Sequence, residues 1–250
     1  MKFKHVNTMG FNVFSDDLNR IELRENKIII NTINPHSYCT AKKDSLFYEA
    51  LIASDIILPD GIGIVWAENK INGNTIRKIA GFDIFIYLMN KLDNENGSVF
   101  FLGASIETLK RIQMKCNDEF PNVKVAAYSP PYKTKFSKED SDVMCEKVNS
   151  FSPDVLFVGM TAPKQEKWVH EFKDDINAKA ICSIGAVFDF YAGNLKRSSP
   201  FWIDLGLEWL PRLIKEPKRL FYRNFVSSPK FILEVFYLKY FKTNFLKQKK

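Results

Sequence analysis

Cysteine and histidine are scarce in this chain: four cysteines (Cys39, Cys116, Cys145, Cys182) and three histidines (His5, His36, His170) in 250 residues. The cysteines are scattered, with no Cys-x-x-Cys spacing, so neither a zinc ribbon nor a dithiol redox motif is expected. Buried free thiols in a reducing compartment fit the pattern. Long apolar runs are also missing. The greasiest stretch, Phe231 to Phe241, contains Glu234 and Lys239, whereas a spanning helix needs about 20 largely apolar residues. Lys2 and Lys4 are followed by no apolar region before Asp16 and Asp17. A secretory signal is therefore not expected, and the chain reads as cytoplasmic. Internal repeats and low-complexity stretches are lacking as well.

What the chain does have is positive charge gathered at one end. Residues 1–200 carry 25 Lys and Arg against 25 Asp and Glu, while residues 201–250 carry 11 against 4 and so hold the whole net charge of +7. The same tail holds 12 of the 35 aromatic residues. A neutral body with a basic, aromatic tail is expected to meet something anionic. Aromatics interleaved with Lys and Arg suit stacking on nucleic acid or anchoring in an anionic membrane. The segment from Pro229 to Leu246 is apolar on most faces, which favours a membrane, or self-association into a homo-oligomer, over nucleic acid.

Short apolar runs alternate with longer amphipathic ones. Lys27–Asn31, Asp55–Leu58, Ser98–Gly103, Val123–Ala127, Val155–Gly159 and Ala180–Ile184 read as buried strands. Between them, Tyr38–Ala53, Gly81–Leu92, Ile106–Glu119, Lys138–Ser150 and Lys164–Asp174 have helical spacing. The alternation predicts an α/β fold: a Rossmann-like parallel sheet with helices on both faces. The first 25 residues read as an additional strand or hairpin. Pro200 and the aromatic run after it mark a boundary, giving an α/β catalytic domain over 1–199 and a basic, aromatic helical appendage over 200–250.

In such a sheet the ligand sits beyond the carboxyl ends of the strands, and most of those ends carry glycine or a small polar residue, Gly61 and Gly103 among them. Asp60 follows Ile56-Ile57-Leu58-Pro59 and precedes Gly61-Ile62-Gly63. Local sequence favours it as the N-cap of the helix starting near Gly61; the alternative is a carboxylate projecting into the cleft. Gly61-x-Gly63 suggests a dinucleotide fingerprint, but Trp66 occupies the third glycine position and blocks the close helix–strand approach. Asp83 follows Ala80-Gly81-Phe82 rather than a strand, and the dinucleotide site is rejected. The turn from Gly159 to Trp168 ends a strand and opens a helix at Pro163. Its backbone N–H groups attract an oxyanion, and Gln165 and Glu166 have groups for a sugar or a base, with a plain helix start as the alternative. Asp140-Ser-Asp142 imitates a metal-holding pair but reads as a solvated helix start. Without a metal, a phosphate leaving group needs arginines, and Arg212, Arg219 and Arg223 are the natural supply, unless they form only a solvated or membrane-facing surface.

Taken in order, these loops resemble the WecG/TagA/CpsF bacterial glycosyltransferases from Thr32 to Arg223. The matching stretches are Thr32-x-Asn34, Leu58-Pro-Asp-Gly-Ile-Gly63, Ala80-Gly-Phe-Asp83, Phe100-Phe-Leu-Gly103, Pro163-Lys-Gln-Glu166, Gly185-Ala-Val-Phe-Asp189 with Ala192-Gly193, and Gly206-Leu-Glu-Trp-Leu-x-Arg212 continuing to Glu216-Pro-x-Arg219. The resemblance implies an inverting, metal-independent, cofactor-free transfer from a UDP-sugar to a sugar on undecaprenyl diphosphate. N-acetylmannosamine or a related hexosamine or uronic acid would move onto lipid-linked N-acetylglucosamine, for teichoic acid, common antigen or capsule. It also lifts Asp60 from N-cap to catalytic base, places Thr32, Asn34 and Gln165 in the pocket, and assigns Arg212, Arg219 and Arg223 to the diphosphate. The implied setting is the inner face of the cell membrane. Two departures stand out: Arg197-Ser-Ser-Pro200 where the family has Arg-Ala-Pro, and Tyr222-Arg223-Asn224 where it has paired arginines and a tyrosine. A competing expectation is a catalytically silent sugar-nucleotide-binding or membrane-docking subunit. Asp60 discriminates, because a silent relative has little need of that carboxylate.

Overall fold

The computed structural model of the chain describes residues 3–23, 26–195 and 220–242. The first strands, β1 (His5–Thr8) and β2 (Phe11–Phe14), form a hairpin closed by Met9 and Gly10, both at positive φ. Such a two-residue loop with two left-handed residues matches the twist of the strands it joins. Then follow β3 (Ile28–Ile33), β4 (Ile56–Pro59), β5 (Ser98–Gly103), β6 (Lys124–Tyr128), β7 (Val155–Gly159) and β8 (Ala180–Ser183). All eight join one sheet in the order β1-β2-β4-β3-β8-β7-β5-β6. The sheet is mixed, which corrects the expected parallel one. Strands β2 to β8 run parallel, but β1 lies antiparallel on β2 at the edge, because a two-residue loop can only reverse the chain.

Helices cover both faces, as expected for strands with no polar side. On one face lie α4 (Gly81–Glu95), α5 (Ile106–Glu119) and α8 (Val187–Tyr191). Their core with the sheet is aromatic: Phe85, Phe101, Phe157 and Phe188 are all buried, with ring centroids 5.2–5.7 Å apart in the successive pairs Phe85–Phe157, Phe157–Phe101 and Phe101–Phe188. The opposite face carries α6 (Lys138–Phe151) and α7 (Lys164–Phe172), with Met144, Val148 and Trp168 turned inward. Beside them sit α1 (Pro35–Ala41), α2 (Ser45–Ile52) and α3 (Ile62–Asn72). The expected helix over Tyr38–Ala53 is thus two helices. Asp44 breaks it by capping α2, its carboxylate accepting the N–H of Phe47 at 3.1 Å.

Leu220–Lys242 folds back onto this second face. A π-helical turn, Tyr222–Ser227, leads into α9 (Ser228–Tyr237) and a second π-helical stretch, Leu238–Lys242. Phe231 and Val235 are buried against α1 and α3, with Phe231 edge-to-face on Tyr38 at 5.4 Å. Polar bonds fasten the same seam. The Tyr38 hydroxyl donates to Glu234 Oε1 at 2.9 Å, Lys42 pairs with Glu234, and Cys39 Sγ donates to the Ser227 carbonyl at 3.4 Å. All four cysteines are free; Cys116, Cys145 and Cys182 are buried and Cys39 is half-buried. Among the described residues no helix is long and apolar enough to cross a membrane.

Candidate active site

The carboxyl ends of β3 to β8 open into one cleft of about 960 Å³. Its position follows from topology, since every loop leaving a parallel strand at that edge is free to line it. Two glycines make the edge passable. Gly103 ends β5 at φ +121°, and a Cβ there would stand 2.4 Å from the Gly159 carbonyl oxygen at the end of β7. Gly61 turns the chain after β4 at φ +96°. Both are left-handed positions that side chains resist.

The β3–β4 ladder brings the first group of candidates together. Thr32 pairs with Leu58, Ile33 with Pro59, and the Asp60 N–H donates to the Ile33 carbonyl at 2.9 Å. Thr32, Asn34 and Asp60 therefore share the rim of the cleft. The N-cap of α3 is Gly61, with φ +96° and ψ 153°, so Asp60 lies one residue outside the cap position that its local sequence favoured. Asn34 is itself a cap. Its Oδ1 accepts the N–H groups of His36 and Ser37, each at 3.0 Å, while Ser37 Oγ accepts the Asn34 N–H at 2.7 Å. This box engages the carboxamide oxygen, which leaves Nδ2 as the group with which Asn34 can meet a ligand.

At the β7–α7 corner the structure differs from a pair of side chains reaching out to a ligand. Gln165 and Glu166 line the cleft but are only 3% exposed. Gln165 Oε1 accepts the Met160 N–H at 3.1 Å and its Nε2 donates to Glu166 Oε1 at 2.9 Å. Both polar ends of Gln165 are thus engaged within the protein, and the pair forms the floor. Burial pushes the Glu166 carboxyl up to about 7, against hydrogen bonds that lower it. Its Oε2 is buried with no partner among the described residues, as a protonated carboxyl tolerates better than a charged one.

The remaining candidates separate clearly. Asp140 is the N3 residue of a capping box with Ser137 and binds Lys133, and Lys133 with those hydrogen bonds holds its carboxyl below the ordinary range. It is a helix start, as its sequence suggested. Asp83 closes a similar turn, accepting the Ala80 N–H at 2.8 Å. Gly63 is explained by packing, because a Cβ would stand 2.5 Å from Pro35 Cγ where α3 crosses α1. Arg223 lines the cleft from the π-helical turn. Arg212 and Arg219 lie outside the described residues. His36 also lines the cleft, which sequence reasoning missed. Asn34-Pro35 announces a helix start there, but the approach of residues 220–227 to that start is not a local property of the sequence.

A family model described as the glycosyl transferase WecG/TagA/CpsF family matches residues 5–244. The chain is similar to the N-acetylglucosaminyldiphosphoundecaprenol N-acetyl-beta-D-mannosaminyltransferase of Bacillus subtilis, with 33% identity over 207 residues, covering 83% of this chain and 78% of that protein. The protein of the same name from Bacillus spizizenii is 31% identical over 241 residues, 94% of this chain and 91% of the other. That of Staphylococcus aureus (strain MW2) is 25% identical over 195 residues, 78% of this chain and 75% of the other.

Proposed function

The chain belongs to the WecG/TagA/CpsF family of glycosyl transferases, and from that premise we propose that it moves a sugar from a UDP-sugar to a sugar on undecaprenyl diphosphate, with inversion. N-acetylmannosamine and lipid-linked N-acetylglucosamine are the pair to test first, because both stand in the names of the three relatives. The product would serve a cell-surface polysaccharide. The observation that carries this reading is the place of Asp60: a carboxylate at the end of β4, beside Thr32 and Asn34, on a cleft of about 960 Å³. That volume lies at the upper end of small-ligand sites, as a sugar nucleotide with part of an acceptor requires.

Asp60 takes the proton of the acceptor hydroxyl as that oxygen attacks the anomeric carbon from the face opposite the diphosphate. The new C–O bond forms while the bond to UDP breaks, and UDP leaves with the electron pair. Thr32 and Asn34 orient the sugars. Gly61 and Gly103 let backbone and ligand approach, and Gln165 with Glu166 holds the floor. Arg223, with Arg212 and Arg219, neutralises the charge growing on the leaving group in place of a divalent metal. The exposed aromatic face of α9 rests on the anionic membrane that holds the acceptor.

The test is UDP release from UDP-N-acetylmannosamine by the purified protein in EDTA, with and without prenyl-diphosphate-linked N-acetylglucosamine. Acceptor-dependent release is expected. Asp60→Asn should lower turnover by at least ~100-fold, the usual scale for a general base, with folding and UDP binding preserved. Near-normal turnover in that variant removes Asp60 from the mechanism. UDP binding without turnover across a panel of donors and acceptors would favour a silent binding subunit.

A further inference from the structure

Arg223 has a neighbour in the cleft that the family resemblance leaves without a role. His36 stands in the first turn of α1 and lines the same cavity. Its ring is held from two sides. Nδ1 lies 2.9 Å from Ser227 Oγ, at the end of the π-helical turn that carries Arg223, and the ring meets Tyr222 edge to face with centroids 6.3 Å apart. Below it, the Asn34 cap fixes the His36 backbone. The imidazole is therefore built into the seam between the β3–α1 rim and the C-terminal segment, a place where a packing residue would serve equally well if no ligand came near.

We propose that His36 is a further cationic contact for the diphosphate of the donor, taking up a proton from solvent as the diphosphate settles beside Arg223. The proposal rests on the reading of the cleft as a nucleoside-diphosphate-sugar site. In the free protein, burial first and the charge of Arg223 second hold the imidazole below its ordinary range, so it is neutral near pH 7. The groups at this seam that carry or can carry charge are Tyr222 and Arg223 on the π-helical turn, Lys230 and Glu234 on α9, Cys39 on α1, Lys42 and Lys43 just after α1, with Lys43 Nζ 3.4 Å from the Tyr222 hydroxyl, and Asp60 after β4. Among these described residues Arg223 is the charge that bears on His36. A bound diphosphate would compensate Arg223 and place negative charge next to the ring, and both changes favour imidazolium. Ser227 suits either state, because a hydroxyl donates to a bare Nδ1 or accepts from Nδ1–H. Once the ring is protonated, Nε2–H is a charge-assisted donor, the kind of contact that strengthens phosphate binding most.

Calorimetric titration of the full chain with UDP near pH 7.5, in two buffers of small and large ionisation enthalpy, reads the proton count directly. Wild type should take up at least ~0.5 proton more per UDP than His36→Gln, as expected for a ring that changes from mostly neutral to mostly charged. The same variant should bind UDP about tenfold more weakly, the scale of one charge-assisted hydrogen bond, and the gap should close as the pH rises towards 9. Equal proton counts and equal affinities would overturn the role of His36 while leaving the cleft a UDP site. Failure of wild type to bind UDP would overturn the reading of the cleft instead. Should His36→Gln not fold, the histidine ring protons of the wild type decide the matter: the resonance of His36, separated from His5 and His170 by single substitutions at those two positions, must titrate at higher pH with UDP present than without it.

Discussion

Glu166 shows how a single buried carboxyl ties the floor of the cleft to solution conditions. Burial raises it from 4.5 to about 7, so the folded protein holds a proton through a pH window in which the unfolded chain has released it. The stability this group contributes is full below about pH 4.5 and is lost as the pH rises through about 7. For a group this buried the upper bound is ~3 kcal/mol. Glu166→Gln keeps the shape and removes the titration. Thermal melts from pH 5 to pH 8 should show the variant matching wild type at the acid end and exceeding it at the alkaline end. Parallel curves would place the ionisation elsewhere. The sequence presents Glu166 only as a polar residue near the start of a helix, because its burial depends on α7 packing against α2 and β8 rather than on its neighbours in the chain.

The same contrast runs through the elements. Helix α5 begins and ends where its apolar spacing predicts, from the Ser105 cap to Glu119. Strands β5 and β7 likewise span their predicted residues. Short elements are harder to read: α8 spans Val187–Tyr191, too few residues for a period to emerge. The direction of β1 became legible only with its two-residue turn. Helix α9 carries an element-scale consequence. Phe231 is 1% exposed and fills the seam with α1, so Phe231→Ala should cost about 3–5 kcal/mol of local packing. That loss should loosen residues 220–242 before it unfolds the sheet. Hydrogen exchange is expected to quicken there selectively, and kcat/KM to fall with Arg223 no longer held in place. Uniform exchange across the whole chain would show that this segment and the sheet unfold as one unit.

At the scale of the whole molecule, the C-terminal segment leaves an apolar face open to solvent. Leu233, Tyr237 and Phe241 recur every fourth residue and are 61–70% exposed, forming a stripe that faces away from α1. Vesicles containing phosphatidylglycerol should therefore sediment the protein. Replacing Leu233 and Tyr237 together with glutamate should release most of it, whereas raised salt should release only part, since screening weakens the basic charge but not the aromatic insertion. Unchanged sedimentation of the double variant would move the docking face elsewhere. Of the cleft's rim, Gly61 and Gly103 were legible from strand ends; local sequence favoured Asp60 as an N-cap, and only the family resemblance put Asp60 and Thr32 in the pocket, while the meeting of His36 with residues 220–227 depends on the C-terminal chain returning to the β3–α1 rim. Strand order has a related consequence for synthesis. Strand β3 lies between β4 and β8, and its Ile28 pairs with Ala180. At about 5–20 residues per second the ribosome needs on the order of ten seconds or more to deliver that partner. Throughout that interval the nascent chain carries Ile28-Ile29-Ile30 with one edge bare, which makes it a natural client for chaperones and sets the period in which it is most prone to aggregate.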